Sequence, residues 1–159
     1  MPLRELADGR HHAKEERVLF PALEAAGIPR EGGPIGCMLA EHEQGRAAVR
    51  AMADAVAGFD SAPDALAAFA HAARTYVQLL SQHICKENHA LFRMACQVLT
   101  TSQDDALVAA FAEQERALDA SFGDASSFAA VILRLEAVYA TPLRPMPPDP
   151  GRAEPAPAL

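Results

Sequence analysis

His83-Ile-Cys-Lys-Glu87-Asn-His-Ala-Leu91-Phe92 decides how this chain is read, because a near copy stands close to its start: His12-Ala-Lys-Glu-Glu16-Arg-Val-Leu19-Phe20-Pro21. In both, a histidine precedes a glutamate by four residues and a Leu-Phe pair follows. On a helix that spacing stacks the two side chains on one face, one turn apart, where an imidazole nitrogen and a carboxylate oxygen can reach a common ion. One copy alone would be an ordinary surface pair worth roughly 0.2–0.5 kcal/mol. Two copies are harder to dismiss, and His42 lies between them in the chain. Five of the six histidines fall in or beside these three places, which concentrates ligand chemistry there.

Mixed imidazole and carboxylate donors suit iron, manganese or zinc; calcium prefers an all-oxygen shell. Cysteine-rich zinc patterns are missing. Two carboxylates and several histidines in a bundle core favour a pair of redox-active ions bridged by carboxylate, by analogy with di-iron bundles. His12 with Glu16 is the preferred pair on the first helix, and His11 with Glu15, also four residues apart, competes with it. Glu15 and Glu41 read either as bridging or supporting groups or as solvated helix-surface charges. Tyr76, two turns before His83 on the same face, reads as a hydrogen-bond donor near the metal or as a core tyrosine.

Outward from the motifs the chain reads as helices. The first covers about Leu3 to Ala26, with Pro21 forcing a kink or local adjustment, and Gly27 to Gly33 is a loop. The second runs from Pro34 to about Gly58. Asp60-Ser-Ala-Pro63 is a short break that offers a cap. The third is the longest, about Pro63 to Leu99, and Thr100-Thr-Ser102 ends it and caps a fourth, about Gln103 to Phe122. A fifth is expected from Ser126 or Ser127 to Tyr139. From Thr141 onward, repeated prolines predict a disordered tail. Short links between long helices predict antiparallel neighbours, hence an all-α bundle.

Composition agrees and narrows the function. Half of the 159 residues are hydrophobic, tryptophan is absent and β-branched residues are sparse, which favours helix over strand. A net charge of −7 without a Lys/Arg cluster argues against nucleic acid. Every apolar run is cut by charge before a membrane-spanning length. With no apolar signal core at the N-terminus and three cysteines without framework spacing, a soluble cytoplasmic protein with reduced thiols is expected.

At His11-His-Ala-Lys-Glu-Glu16-Arg-Val-Leu-Phe-Pro-Ala-Leu, at Gly33-Pro-Ile-Gly-Cys-Met-Leu-Ala-Glu-His42-Glu-Gln-Gly-Arg and at Tyr76-Val-Gln-Leu-Leu-Ser-Gln-His83-Ile-Cys-Lys-Glu87-Asn, the sequence resembles the hemerythrin-like family with the HHE cation-binding domain. The resemblance implies a four-helix bundle around a non-haem di-iron centre. By motif position it implies His12, Glu16, His42, His83 and Glu87 as metal ligands. It divides the chain into metal-binding helices (1–99), a C-terminal helical extension (100–140) and the tail (141–159). Family members bind oxygen, sense oxygen or iron, or handle peroxide and nitric oxide.

The family's usual order begins with a lone histidine on an earlier helix, and this chain starts just before the second ligand motif. The expected bundle therefore lacks its first helix, and an apolar face is left open. Coding sequence upstream of Met1, the C-terminal helices or a second copy of the chain could each supply the missing wall. The C-terminal helices carry no histidine to restore the ligand. The same gap leaves one iron per chain as an alternative to two. The function expected first is a binding or sensing module for oxygen or iron, because no nucleophile or acid–base pair accompanies the motifs. A di-iron enzyme acting on peroxide or nitric oxide, and a structural domain with an incomplete metal site, are the alternatives.

Overall fold

Between residues 4 and 122, alanine- and leucine-rich segments interrupted at Gly27, at Gly58 and at the Leu99-Thr100 junction fold into four helices. The computed structural model describes residues 4–122, 130, 132–134 and 137. Helix α1 spans residues 4–25, α2 Pro34–Ala57, α3 residues 65–98 and α4 Thr101–Phe122. Among the described residues there is no strand. The antiparallel bundle expected from sequence is thus an all-α helical bundle. The chain divides into two units, residues 1–125 and 126–159. The expected fifth helix lies almost wholly outside the described residues, of which Ala130, Ile132, Leu133, Arg134 and Ala137 are helical; the proline-rich tail lies outside them altogether.

The helix ends follow their sequences. At the end of α1, Gly27 takes a left-handed φ of 96°. This lets the Ile28 N–H reach the Leu23 carbonyl and the Gly27 N–H the Glu24 carbonyl, both at 3.0 Å, the closure that favours glycine after a helix. Helix α4 starts with a reciprocal cap. The Gln103 N–H donates to Thr100 Oγ1 at 3.3 Å, and the Thr100 N–H donates to Gln103 Oε1 at 2.9 Å. Helix α3 begins at Ala65, two residues later than the proline signal suggests, and Asp64 gives it no side-chain cap.

Two helices are interrupted by wide π turns. Glu15–Leu19 in α1 and Glu87–Leu91 in α3 are both π-helical, and Arg4–His12 is as well. The Phe20 N–H bonds the Glu15 carbonyl and the Phe92 N–H bonds the Glu87 carbonyl, each five residues back. Pro21 follows the first turn, but Arg93 occupies the matching place after the second. The local adjustment expected around Pro21 is present, and proline is not what requires it.

Along α2 and α3 the buried residues alternate in bands. At one end Leu19, Phe20 and Leu23 of α1 pack with Ile35 and Met38 of α2, Leu91 and Ala95 of α3, and Leu107 of α4. At the other, Ala48, Val49 and Met52 of α2 pack with Ala72 and Tyr76 of α3. Between these bands in sequence stand Glu41 and His42 of α2 and His83 and Glu87 of α3, and His12 and Glu15 precede the first band on α1, all six buried. Helix α4 lies against α1. Arg10 Nη1 meets Glu115 Oε1 and Asp119 Oδ1, each at 2.8 Å, and Lys14 pairs with Glu115. Leu66, Val77 and Ile84 form an exposed apolar stripe along α3. Leu91→Ala should cost about 2–5 kcal/mol by opening a cavity in the closed band. Val77→Ala, at a side chain 63% exposed, should stay within about 0.5 kcal/mol. Urea unfolding of both variants checks the contrast, and equal effects would mean the core is misplaced.

Candidate metal centre

Each helix delivers its polar residues by continuing an apolar stripe. On α1, His12 and Glu15 precede Leu19 and Leu23 on the buried face; on α2, Glu41 and His42 sit between Met38 and Val49. On α3, His83 and Glu87 sit between Tyr76 and Leu91. The core-facing side of each helix therefore carries ligand-type side chains into the bundle at the same level.

There the imidazoles of His12, His42 and His83 meet. The rings of His12 and His42 stack at 3.9 Å between centroids, and His83 stands edge-on at 4.9 Å from His42 and 5.8 Å from His12. One nitrogen from each ring lies within 4.8 Å of the other two. A second grouping, His11, Glu15 and Glu87, meets the same limit. His11 Nε2 is 3.2 Å from Glu87 Oε1 and 3.9 Å from Glu15 Oε2. The two groupings adjoin, since Glu15 Oε2 is 3.2 Å from His42 Nε2 and Glu87 Oε1 is 3.0 Å from His83 Nε2. His11 is half exposed, so the cluster opens to solvent at that corner.

Of the five residues picked out in the sequence, the structure brings His12, His42, His83 and Glu87 together. Glu16 lies behind His42 instead. Its Oε1 accepts from His42 Nδ1 at 2.7 Å and from Arg46 Nη2 at 2.6 Å. Glu15 is the α1 carboxylate that enters the cluster. The sequence held a signal for this: Glu15-x-x-x-Leu19-Phe20 repeats Glu87-x-x-x-Leu91-Phe92 without offset, whereas Glu16 matches only after a one-residue slip. The π turns start at those same two glutamates. Glu41, one of the two open readings, is buried and accepts from His83 Nδ1 at 3.0 Å while pairing with the Lys86 ammonium. Tyr76 is a core residue that also lines a cavity, with room for about one water, beside His12, His42, His83 and Gly45.

The electrostatics suit a cation. Burial pushes His12 down to about 4, reinforced by the neighbouring His42, His11 and His83, so its imidazole is neutral near pH 7 with a lone pair available. Although burial pulls Glu87 upward, the hydrogen bond with His11 and the charge of His11 and His83 hold its carboxyl well below the usual range. The bond to Glu87 raises His11 despite burial. For His83, burial is outweighed by the Glu87 and Glu41 carboxylates, and its value also rises. Meanwhile His12 Nδ1, His42 Nε2, His83 Nε2 and both Glu15 carboxylate oxygens are buried without a hydrogen-bond partner. An orphaned buried group costs about 1–3 kcal/mol. So many in one place, all lone-pair donors, fit a bound cation that none of the protein's own groups replaces.

A family profile described as the hemerythrin HHE cation binding domain matches residues 2–95. Neither a curated protein nor a solved structure matches the chain.

For the metal-free chain, the resolved shifts act in one direction below pH 6.5. His12 is lowered, so the unfolded state takes its proton first and stability falls as pH drops from 6.5 toward 4. For Glu16 and Glu41, burial raises the carboxyls but Arg46 and His42, or Lys86 and His83, lower them further; with the lowered Glu87, their stabilisation is lost below about pH 4.5. The raised His11 and His83 contribute fully below pH 6.5 and lose their contribution only as pH rises through their folded values. The urea midpoint of metal-free protein should therefore fall steadily from pH 6.5 to pH 4; a flat profile would contradict this charge arrangement.

Proposed function

The chain belongs to the hemerythrin HHE cation-binding domain family, and from that premise we propose that its bundle holds non-haem iron, as a di-iron centre, and serves to bind or sense oxygen or iron. The observation that carries this reading is the set of buried, unpartnered nitrogen and carboxylate atoms on His12, His42, His83 and Glu15. Glu87 adjoins them, and His11 joins from the solvent side. Of the residues named from sequence, His12, His42, His83 and Glu87 are kept as ligands. Glu15 takes the place of Glu16, whose carboxylate is already engaged by Arg46 and His42.

The two groupings suggest two unequal positions: one of three imidazoles, the other of His11, Glu15 and Glu87, with the carboxylates between them. Iron bound there would supply a Lewis-acidic, redox-active centre able to take up a small ligand such as oxygen, nitric oxide or peroxide. The chain's own residues do the rest. Phe20 and Leu91 keep one side dry, the cavity beside Tyr76 leaves space on the other, and neutral His12 offers a lone pair at neutral pH. Tyr76 at that cavity favours, as a second reading, an enzyme acting on peroxide or nitric oxide, because a phenol there could donate a proton. Among the described residues no helix is long and apolar enough to cross a membrane. A cytoplasmic location, and a second copy of the chain packing on the α3 stripe, remain part of the proposal.

Purified protein should carry iron, approaching two per chain when loaded anaerobically with Fe(II). His83→Ala and Glu87→Ala should each remove most of it, and Glu15→Gln should lower occupancy more than Glu16→Gln does. Metal analysis showing only traces of iron in the wild-type chain, or full occupancy in both alanine variants, would overturn the reading. Gly45→Ala tests the cavity. Its methyl would lie 3.7 Å from Tyr76 Cε2 and 3.8 Å from Leu79 Cδ2, ordinary contacts that leave fold and iron content intact. Binding of nitric oxide or azide to the iron-loaded protein should weaken several-fold, and an unchanged titration would place the small ligand elsewhere.

A further inference from the structure

His42 and His83 are held in the same way from behind, by residues outside the proposed ligand set. His42 Nδ1 lies 2.7 Å from Glu16 Oε1, and His83 Nδ1 lies 3.0 Å from Glu41 Oε2. Each of these carboxylates is backed in turn by a cation. Arg46 donates to Glu16 and is itself fixed by Asp8 and by Glu43 at 2.6 Å; Lys86 donates to Glu41. The two arrangements come from different helices. Glu16 reaches from α1 to a histidine on α2, and Glu41 reaches from α2 to a histidine on α3. Two independent acid–imidazole contacts with the same order of atoms, each backed by a cation, point to a shared role.

We infer that Glu16 and Glu41 are positioning residues: they hold the proton of His42 and His83 on Nδ1, so that both Nε2 lone pairs are presented to the metal. An ionised carboxylate only accepts. Glu16 and Glu41 therefore require N–H on the nitrogen they touch, and the opposite nitrogen of a neutral ring must then be the lone-pair donor. That opposite nitrogen is the buried, unpartnered atom in both rings, facing Glu15 in one and Glu87 in the other. With a lone pair on Nε2 and a carboxylate beside it, each pair is acceptor against acceptor, an arrangement that a cation between them relieves and that only a proton on the ring relieves in its place. His12 has no such support. Its Nδ1 is 3.6 Å from Asp8, without a hydrogen bond. The bundle thus pre-orients two of its three imidazoles. Partners of this kind commonly change metal affinity 10–100-fold when removed.

The inference rests on the cluster being a metal site, and its test separates the two. Long-range ¹⁵N–¹H NMR of the imidazoles in the metal-free wild-type chain, at a pH alkaline enough that both rings are neutral, reads the tautomers directly. Nδ1–H on both His42 and His83 is expected, and Nε2–H on either overturns the positioning role whatever the protein binds. Glu16→Ala should release the tautomer of His42 alone and Glu41→Ala that of His83 alone. Each should weaken Fe(II) or Zn(II) binding by about 10–100-fold in a chelator competition. Glu16→Gln and Glu41→Gln keep an acceptor oxygen and should recover most of both properties. If the wild-type chain takes neither ion, the metal reading fails and the tautomers still decide the positioning role. If an alanine variant does not fold, the wild-type tautomers with the glutamine variants decide it. Affinity unchanged in folded Glu16→Ala and Glu41→Ala overturns it.

Discussion

Carboxylates and imidazoles buried at one level of a small helical bundle impose the condition that the surrounding structure must meet. Taking an ion out of water costs of the order of several kcal/mol even after relaxation, so each buried charge needs a partner. The bundle meets this condition unevenly. Outside the cluster, Arg46 is shared by Asp8, Glu16 and Glu43, Lys86 serves Glu41, and Arg10 is met by Glu115 and Asp119. Inside it, Glu15 has no hydrogen bond to either oxygen. The protein's own cations are therefore arranged on the rim, and the middle is a cluster that could hold a positive ion.

The same condition explains why α4 takes the place it does. Arg10, a buried residue on the same helix as His12 and Glu15, would be costly without acids facing it, and Glu115 and Asp119 come from α4. Leu107 and Leu118 are buried on the same helix, so apolar packing and ion pairing hold it to the unit together. Helix α3 is less fully covered. Its stripe of Leu66, Val77 and Ile84 is apolar, exposed and continuous along the helix. Helix α4 thus covers α1, while the stripe on α3 stays exposed.

The helices, their order and the level of the site were legible in the sequence, since they follow from apolar spacing and from glycine and proline signals acting over a few residues. His42, His83 and Glu87 were legible for the same reason: each continues an apolar stripe on a regular stretch of helix. Glu15 against Glu16 was less so, because a regular helix puts them 100° apart and either could face inward. The π turn that begins at Glu15 sets which does, and π turns leave no compositional mark. The matching count to Leu19-Phe20 was the available clue. Glu41 was ambiguous because a glutamate next to a buried histidine reads the same whether it faces water or a second histidine; only the tertiary approach of α3 tells them apart.

The π turns also give these helices a reserve of length that substitution does not probe. A π turn holds one more residue than the α turn it replaces, so each helix carries a local insertion between its glutamate and its Leu-Phe pair. Removal of one residue from Glu87–Leu91 would let that stretch return to regular α pitch with Leu91 and Ala95 facing nearly as before relative to His83, because the turn lost is the one that held the extra residue. A relative with a one-residue gap there would keep core and site on α3 in phase and lose only the wide turn at the glutamate.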